Sequence, residues 1–272
     1  MTNNKITEKI MKYLIWTSGI ISVGIMVWIV GYIIYKGAGE LSFEFLSSSE
    51  NNVGIFPMII NTLILIFYSL IFSIPVGIIS ALYLVEYAKP GKVVRAIRFA
   101  VESLAGIPSI LFGLFGMMFF VVFLKMGWSM LSGALTVSIM ILPTIIRTTE
   151  EALLAVPSNY REGSLGLGAS KFYTIRKVII PSALPGIMVA VILSTGRIIG
   201  ETAAVYLTAG MVPRIADSMM KSGRTLSVHM YILAKEGISF DKAYATATVL
   251  ILIVFIINTV SRVISNALKK AY

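Results

Sequence analysis

Arg197 and Glu201 stand four residues apart in STGRIIGETAAV, inside an otherwise apolar run that starts near Leu184. On a helix, that spacing puts both side chains on one face. If the run crosses a bilayer, each charge at mid-depth costs about 2.5–3.5 kcal/mol on insertion scales. Such residues face a protein interior or an aqueous path. Two readings follow. The pair neutralises itself and only fixes helix packing, or Arg197 lines a path and Glu201 tunes or latches it. The planar guanidinium fork donates two parallel bonds to an oxyanion such as phosphate or sulfate, where lysine offers a point charge. Arg147 closes an earlier apolar run in ILPTIIRTTEEAL. It either snorkels to the membrane surface or attracts an anion at the inner mouth.

Other chemistry is missing from the sequence. There is no cysteine and one histidine, His229, which excludes disulfides, thiolate-metal sites and histidine clusters. The glycine-rich string Gly163 to Gly168 lacks the lysine and hydroxyl that a phosphate-binding loop needs, and no H-E-x-x-H or G-x-S-x-G occurs. No catalytic constellation, metal site or cofactor is expected.

The elements that must position these residues are membrane helices. Hydrophobic residues make up 57% of the 272 and charged residues 13%, against roughly 25% charged in soluble proteins. Spans are expected at about 13–35, 59–85, 103–124, 126–146, 184–206 and 243–264, each near the 20 residues that cross a bilayer. The fold class is therefore all-α, a polytopic bundle of about six helices forming a single transmembrane domain over 1–272. The first run follows Lys5, Lys9 and Lys12 as a signal peptide would. Its length and the five later spans favour an uncleaved helix. Fifteen of the 23 Lys and Arg residues fall in connectors on the N-terminal side, which places both termini in the cytoplasm. The same bias explains the net charge of +10 without a nucleic-acid partner. Pro75 and Pro108 are candidate bends in helices lining a passage.

The connector from 147 to 183 is long enough for short helices. Ser158 is placed to cap one, Gly166 and Gly168 to end it, and Lys171 to Lys177 to form a second amphipathic turn. The connector resembles the EAA motif of ABC importer permeases: Glu-Ala-Ala, three residues, Gly, nine residues, Ile, one residue, Leu-Pro. Here Glu162, Gly163, Ser164, Gly168, Val178, Ile180 and Pro181 hold every spacing, with small or aliphatic replacements. The resemblance implies a type I importer permease fold. It also implies that the 158–181 loop docks in a groove on a separate ATPase, as a short amphipathic helix can.

GRIIGETAAV, LPTIIRTTEEAL, GIPSILFGLFG and GRTLSVHMYILA narrow the resemblance to phosphate ABC transporter permeases of the A type. That resemblance implies a homologous second permease subunit, two cytoplasmic ATPase subunits and an extracytoplasmic phosphate-binding protein as partners, besides membrane lipid. It implies a bacterial or archaeal cytoplasmic membrane. It also implicates Arg147, Arg197 and Glu201 in phosphate passage. The outward segment Leu207 to Lys242, with Met219, Arg224, Thr225, His229 and Tyr231, is implied to form part of an outer gate. His229 reads as a packed histidine rather than a ligand. A permease for another oxyanion (sulfate or molybdate) and an ATPase-independent secondary transporter are the competing readings.

Overall fold

The computed structural model describes residues 2–49 and 54–271. The described residues form helices and connecting loops, with no strand. α1 (Thr2–Gly37), the short α2 (Phe43–Ser47), α3 (Phe56–Leu82) and α4 (Lys92–Ala105) come first. α5 (Ser109–Gly116), α6 (Met130–Leu154), α7 (Ser158–Gly166) and α8 (Lys171–Thr174) follow. The chain closes with α9 (Ile180–Gly200), α10 (Ala203–Thr208), α11 (Leu226–Lys235) and α12 (Phe240–Ala271). α3, α5 and α8 each continue through a π-helical stretch, at Tyr83–Tyr87, Met117–Phe123 and Ile175–Ile179. Five helical runs among the described residues are long and apolar enough to cross a membrane, or six if the bent pair around Pro108 is one span.

α3, α6 and α9 make the centre. Leu65, Ile66, Ile141, Ile145, Ile198 and Ile199 are buried together there, with Phe112, Val205 and Val228 added from α5, α10 and α11. A second cluster at the α7 end joins Ala81, Leu153, Val156, Ile179 and Ala183. Without a hydrophobic driving force between helices in lipid, close approach and interhelical hydrogen bonds hold such a bundle. The Ser138 hydroxyl donates to the Ser69 carbonyl at 3.0 Å across α6 and α3. A Cβ on Gly77 would lie 2.5 Å from Ile145 Cγ2, so α3 meets α6 where only glycine fits.

The elements depart from the sequence expectation at their ends. The span placed at 103–124 does not begin at Ser103. α4 meets the Ser109–Phe123 helix at 100°, with the bend at Gly106 to Pro108, whose fixed ring and missing N–H favour a break. Pro75, in contrast, sits inside an unbroken α3. The span placed at 126–146 starts at Met130 and runs on to Leu154, since the charges after Ile146 pair along and across the helix. The connector placed at 147–183 shrinks accordingly, because Lys171 to Gly200 is one continuous helical run. The span placed at 184–206 stops at Gly200. Ser158 is the first residue of α7, after Pro157, and makes no cap bond. The first, second and sixth expected spans fall inside α1, the α3 run and α12.

The Gly77 contact gives a direct test. Gly77→Ala should destabilise the bundle by about 1–3 kcal/mol through overpacking, measured as a lower thermal unfolding midpoint in detergent. Adding Ile145→Ala removes the opposing methyl and should recover part of that loss.

Candidate functional site

Arg197 lies in the last turn of α9, half-buried. The shared helix face with Glu201 does not form. α9 ends at Gly200, and Glu201 takes an extended conformation, φ −73° and ψ 120°. The Glu201 carboxylate is buried and accepts from the Ala204 backbone N–H at 3.1 Å, capping the first turn of α10. The Ser227 hydroxyl donates to the Glu201 carbonyl at 2.7 Å. Short-range bonding therefore takes the acid that mutual neutralisation required. Among the described residues, no carboxylate lies within ion-pair distance of Arg197. One turn earlier on α9, the Ser194 hydroxyl is buried without a hydrogen-bond partner, where a helical serine ordinarily bonds back to the preceding turn. Sequence reading passed over Ser194. Only its spacing of three from Arg197 could have drawn attention to it.

Arg147 is not brought to Arg197. It sits mid-helix in α6 and pairs with Glu151 at 3.2 Å, both side chains about two-thirds exposed at 65% and 66%. An exposed pair at this spacing contributes only about 0.3–0.5 kcal/mol. Arg147 shares a cavity of about 220 Å³ with Arg98, Glu102 and Glu150, between α4 and α6. Leu153 and Ile179 pack in one cluster, so the two helices can be measured from that level. At 1.5 Å per residue, Arg197 lies about 18 Å farther along the bundle than Arg147. Arg147 lies nearer the α7 end and Arg197 nearer the opposite end, in the last turn of α9.

The 158–181 residues gather at one end of the bundle. Gly163, Ser164, Gly168 and Val178 line one groove of about 750 Å³ with Tyr160, Leu167 and Tyr173. Pro181 lines a neighbouring cavity of about 450 Å³ with Pro157 and Tyr160. Glu162 is exposed on α7, and Ile180 is half-buried at the start of α9. Gly168 has φ +84°, a conformation that favours glycine, and it turns the chain from α7 to α8. The hydroxyls of Ser164 and Thr174 share a 2.9 Å hydrogen bond across that turn.

Arg161, next to these residues, is the group that sequence reading missed. Its Nε donates to Glu86 Oε1 at 2.9 Å, and its Nη1 and Nη2 donate to the Val156 and Leu153 carbonyls at 2.8 Å each. One guanidinium so ties α7 to the end of α6, to the loop just after it and to the π-helical end of the α3 run. Lys171 adds a hydrogen bond to the Glu86 carbonyl and lies 4.6 Å from the Tyr87 ring centre. Glu86 carried one signal: it is the first charge after the uncharged stretch from Asn51 to Val85.

At the opposite end, the irregular segment 209–225 folds back onto the bundle. The Asn61 amide donates to the Arg214 and Arg224 carbonyls at 2.8 and 3.1 Å and accepts from Ala216 N–H at 3.0 Å. Met130 N–H reaches the Lys221 carbonyl at 2.9 Å. Arg224 Nε donates to the Met211 carbonyl, and its Nη1 donates to His229 Nδ1 at 3.2 Å. A guanidinium only donates, so His229 carries its proton on Nε2. Burial, then the charges of Arg224 and Lys242, push His229 down from 6.5 to about 4. His229 is thus a packed, neutral histidine. The chain's apolar groove of about 700 Å³, lined by Ile33, Ile110, Leu207, Met230 and Ala243 among others, has no charged wall. Its polar side chains are the hydroxyls of Thr202, Tyr206, Tyr231 and Tyr244, and its lining holds no cation to match an anion.

Two outcomes follow. Arg161→Ala strands Glu86 and two backbone carbonyls. It should cost about 1.5–3 kcal/mol in thermal unfolding, with Arg161→Lys recovering only part. For His229, the unfolded chain takes up a proton below about 6.5 and the folded chain only near 4. Stability is therefore fully present above pH 6.5 and falls as pH drops to 4. Unfolding midpoints across that window should fall less steeply in His229→Gln.

Comparison with known proteins identifies the lineage. The profile of the binding-protein-dependent transport system inner membrane component matches residues 73–272. A probable ABC transporter permease protein, YqgI of Bacillus subtilis, is 32% identical over 98% of each chain. The phosphate transport system permease protein PstA of Pasteurella multocida is 31% identical over 95% of this chain and 94% of its own. A bacterial alginate ABC transporter, solved with an alginate pentasaccharide-bound periplasmic protein, covers 96% of this chain and 97% of its own at a TM-score of 0.69 and 17% identity. The MetNI methionine ABC transporter in an inward-facing conformation covers 79% of this chain at 0.61 and 22%. Five or six helices apolar enough to span a membrane and these relatives agree: the chain is a multi-pass inner membrane protein and belongs to the type I ABC importer permease family, the binding-protein-dependent transport system inner membrane components.

Proposed function

We propose that the chain, as a single transmembrane domain, is the permease subunit of an ATP-driven phosphate importer and forms half of the translocation path. The observation that carries this reading is Arg197. It is a half-buried cation in the last turn of α9, with the acid four residues on committed to the Ala204 N–H. A cation in a low-dielectric setting without a counter-charge is costly, and an oxyanion in transit offsets that cost. Arg147 then collects anions at the inner mouth, and Glu201 holds the bend that keeps Arg197 unpaired. The names of the PstA relatives support phosphate as the cargo.

The α7 end is cytoplasmic, as are both termini. There Glu162, Gly163, Ser164, Gly168, Val178, Ile180 and Pro181 form the surface for one of two ATPase subunits, which hydrolyse ATP in place of this chain. A homologous second permease completes the path, and an extracytoplasmic phosphate-binding protein delivers the anion near the 209–225 segment. ATP-driven closure of the ATPases pushes α7. Through Arg161, that push reaches α6 and α3 together.

Uptake of labelled phosphate by the assembled importer tests the reading. Arg197→Ala should lower uptake about 10- to 150-fold, the value of a lost charged hydrogen bond, with insertion unchanged. Arg197→Lys should retain part. Normal uptake by inserted Arg197→Ala would overturn the role of Arg197. Sulfate or molybdate uptake in place of phosphate would reassign the cargo.

A further inference from the structure

α4 contains no buried residue, although it is 14 residues long. Its sequence is two-faced. Val93, Ile97, Ala100 and Leu104 recur at helical spacing on one side, joined by Val94 and Val101. Lys92, Arg95, Arg98 and Glu102 recur on the other, and Lys89 precedes them. Phe99 falls outside the apolar stripe. Val93 is 72% exposed, whereas Ile97 and Leu104 are 38% and 37% exposed and Val94 and Val101 are half-buried, Val101 in the cavity between α4 and α6, so this chain covers the stripe only in part.

We propose that α4 lies in the membrane interface at the α7 end, its apolar stripe among acyl chains and Lys89, Lys92 and Arg95 binding anionic lipid headgroups. Geometry points there first. α4 makes a 100° angle with the Ser109–Phe123 helix, and a helix at right angles to a span runs along the bilayer plane. Length points to the same depth. The 15 residues of Ser109–Phe123 extend about 22 Å, against about 30 Å of hydrocarbon. The shortfall of about 8 Å draws α4 down to the boundary, the depth of about 5–10 Å at which amphipathic helices rest.

Charge selects the lipid. Arg98 is engaged, bonding Glu150 of α6 at 2.5 Å and fastening α4 to the bundle. Lys89, Lys92 and Arg95 are exposed, and among the described residues none has an acidic partner. A basic cluster directly after a membrane span is the pattern that anionic leaflets attract. The proposal rests on the membrane placement and the cytoplasmic α7 end given above, and not on phosphate as cargo.

The chain has no cysteine, so a single introduced one can be labelled cleanly. The full chain is reconstituted in nanodiscs of phosphatidylcholine, with or without an equal share of phosphatidylglycerol. An environment-sensitive fluorophore is placed at Val93→Cys, Ile97→Cys or Glu102→Cys. Positions 93 and 97 should be quenched by lipid-borne nitroxide, more strongly with phosphatidylglycerol, and position 102 by an aqueous quencher. Lys89→Gln, Lys92→Gln and Arg95→Gln together, or high salt, should remove most of the phosphatidylglycerol-dependent increase. Quenching of 93 and 97 from water in both lipids would overturn the proposal, as would indifference to phosphatidylglycerol. Shielding of the stripe only after the second permease subunit is added would assign the face to that subunit and overturn it too. No step of this experiment measures transport, so a change of cargo leaves its result intact.

Discussion

In hydrocarbon, each backbone N–H and C=O must find a partner within the protein, at a cost of several kcal/mol if it does not. The bundle departs from helix most at residues 201–225, and there this constraint shapes everything nearby. Glu201 supplies an acceptor for Ala204, and Ser227 a donor for the Glu201 carbonyl. Ser129 N–H closes on the Thr208 carbonyl, Gly223 N–H on Ala209, and Asn61 serves three groups of the segment at once. An irregular stretch is tolerated because the chain itself satisfies it. The consequence for charge is direct. The acid that terminates α9 is occupied by backbone, so the arginine one turn earlier keeps its full capacity to donate.

The two ends of the bundle differ in how they are joined. At the α7 end, one guanidinium joins α7 to the end of α6 and to the α3 run, and a serine–threonine hydroxyl pair closes the turn. Few residues tie α7 down, and they tie it to α3 and α6, helices that pack closely at Gly77. A displacement of α7 therefore has a short, polar route into the central helices. At the other end, many backbone bonds hold 209–225 in place, with a neutral His229 as acceptor for Arg224.

Much of this was legible in sequence, and the failures have physical causes. Hydropathy located the spans, and Gly168 marked the turn after α7 because a positive φ favours glycine. Hydropathy ended the fourth span at Ile146 because it counts charges as polar. Arg147 to Leu154 stays helical because Glu150 and Glu151 pair with Arg98 and Arg147. The shared face of Arg197 and Glu201 assumed a helix that a local side-chain-to-backbone bond interrupts. The contact of Glu86 with Arg161 joins residues 75 apart, and nothing in spacing announces it.

The proposed anion passage depends on an Arg197 left free while Glu201 holds the backbone break. A structure of the assembled importer with bound tungstate, a heavy tetrahedral oxyanion, tests this most directly. Tungstate density is expected within hydrogen-bond reach of the Arg197 guanidinium, with the Glu201 carboxylate still on the Ala204 N–H. An Arg197 paired with Glu201, and tungstate bound elsewhere, would contradict it.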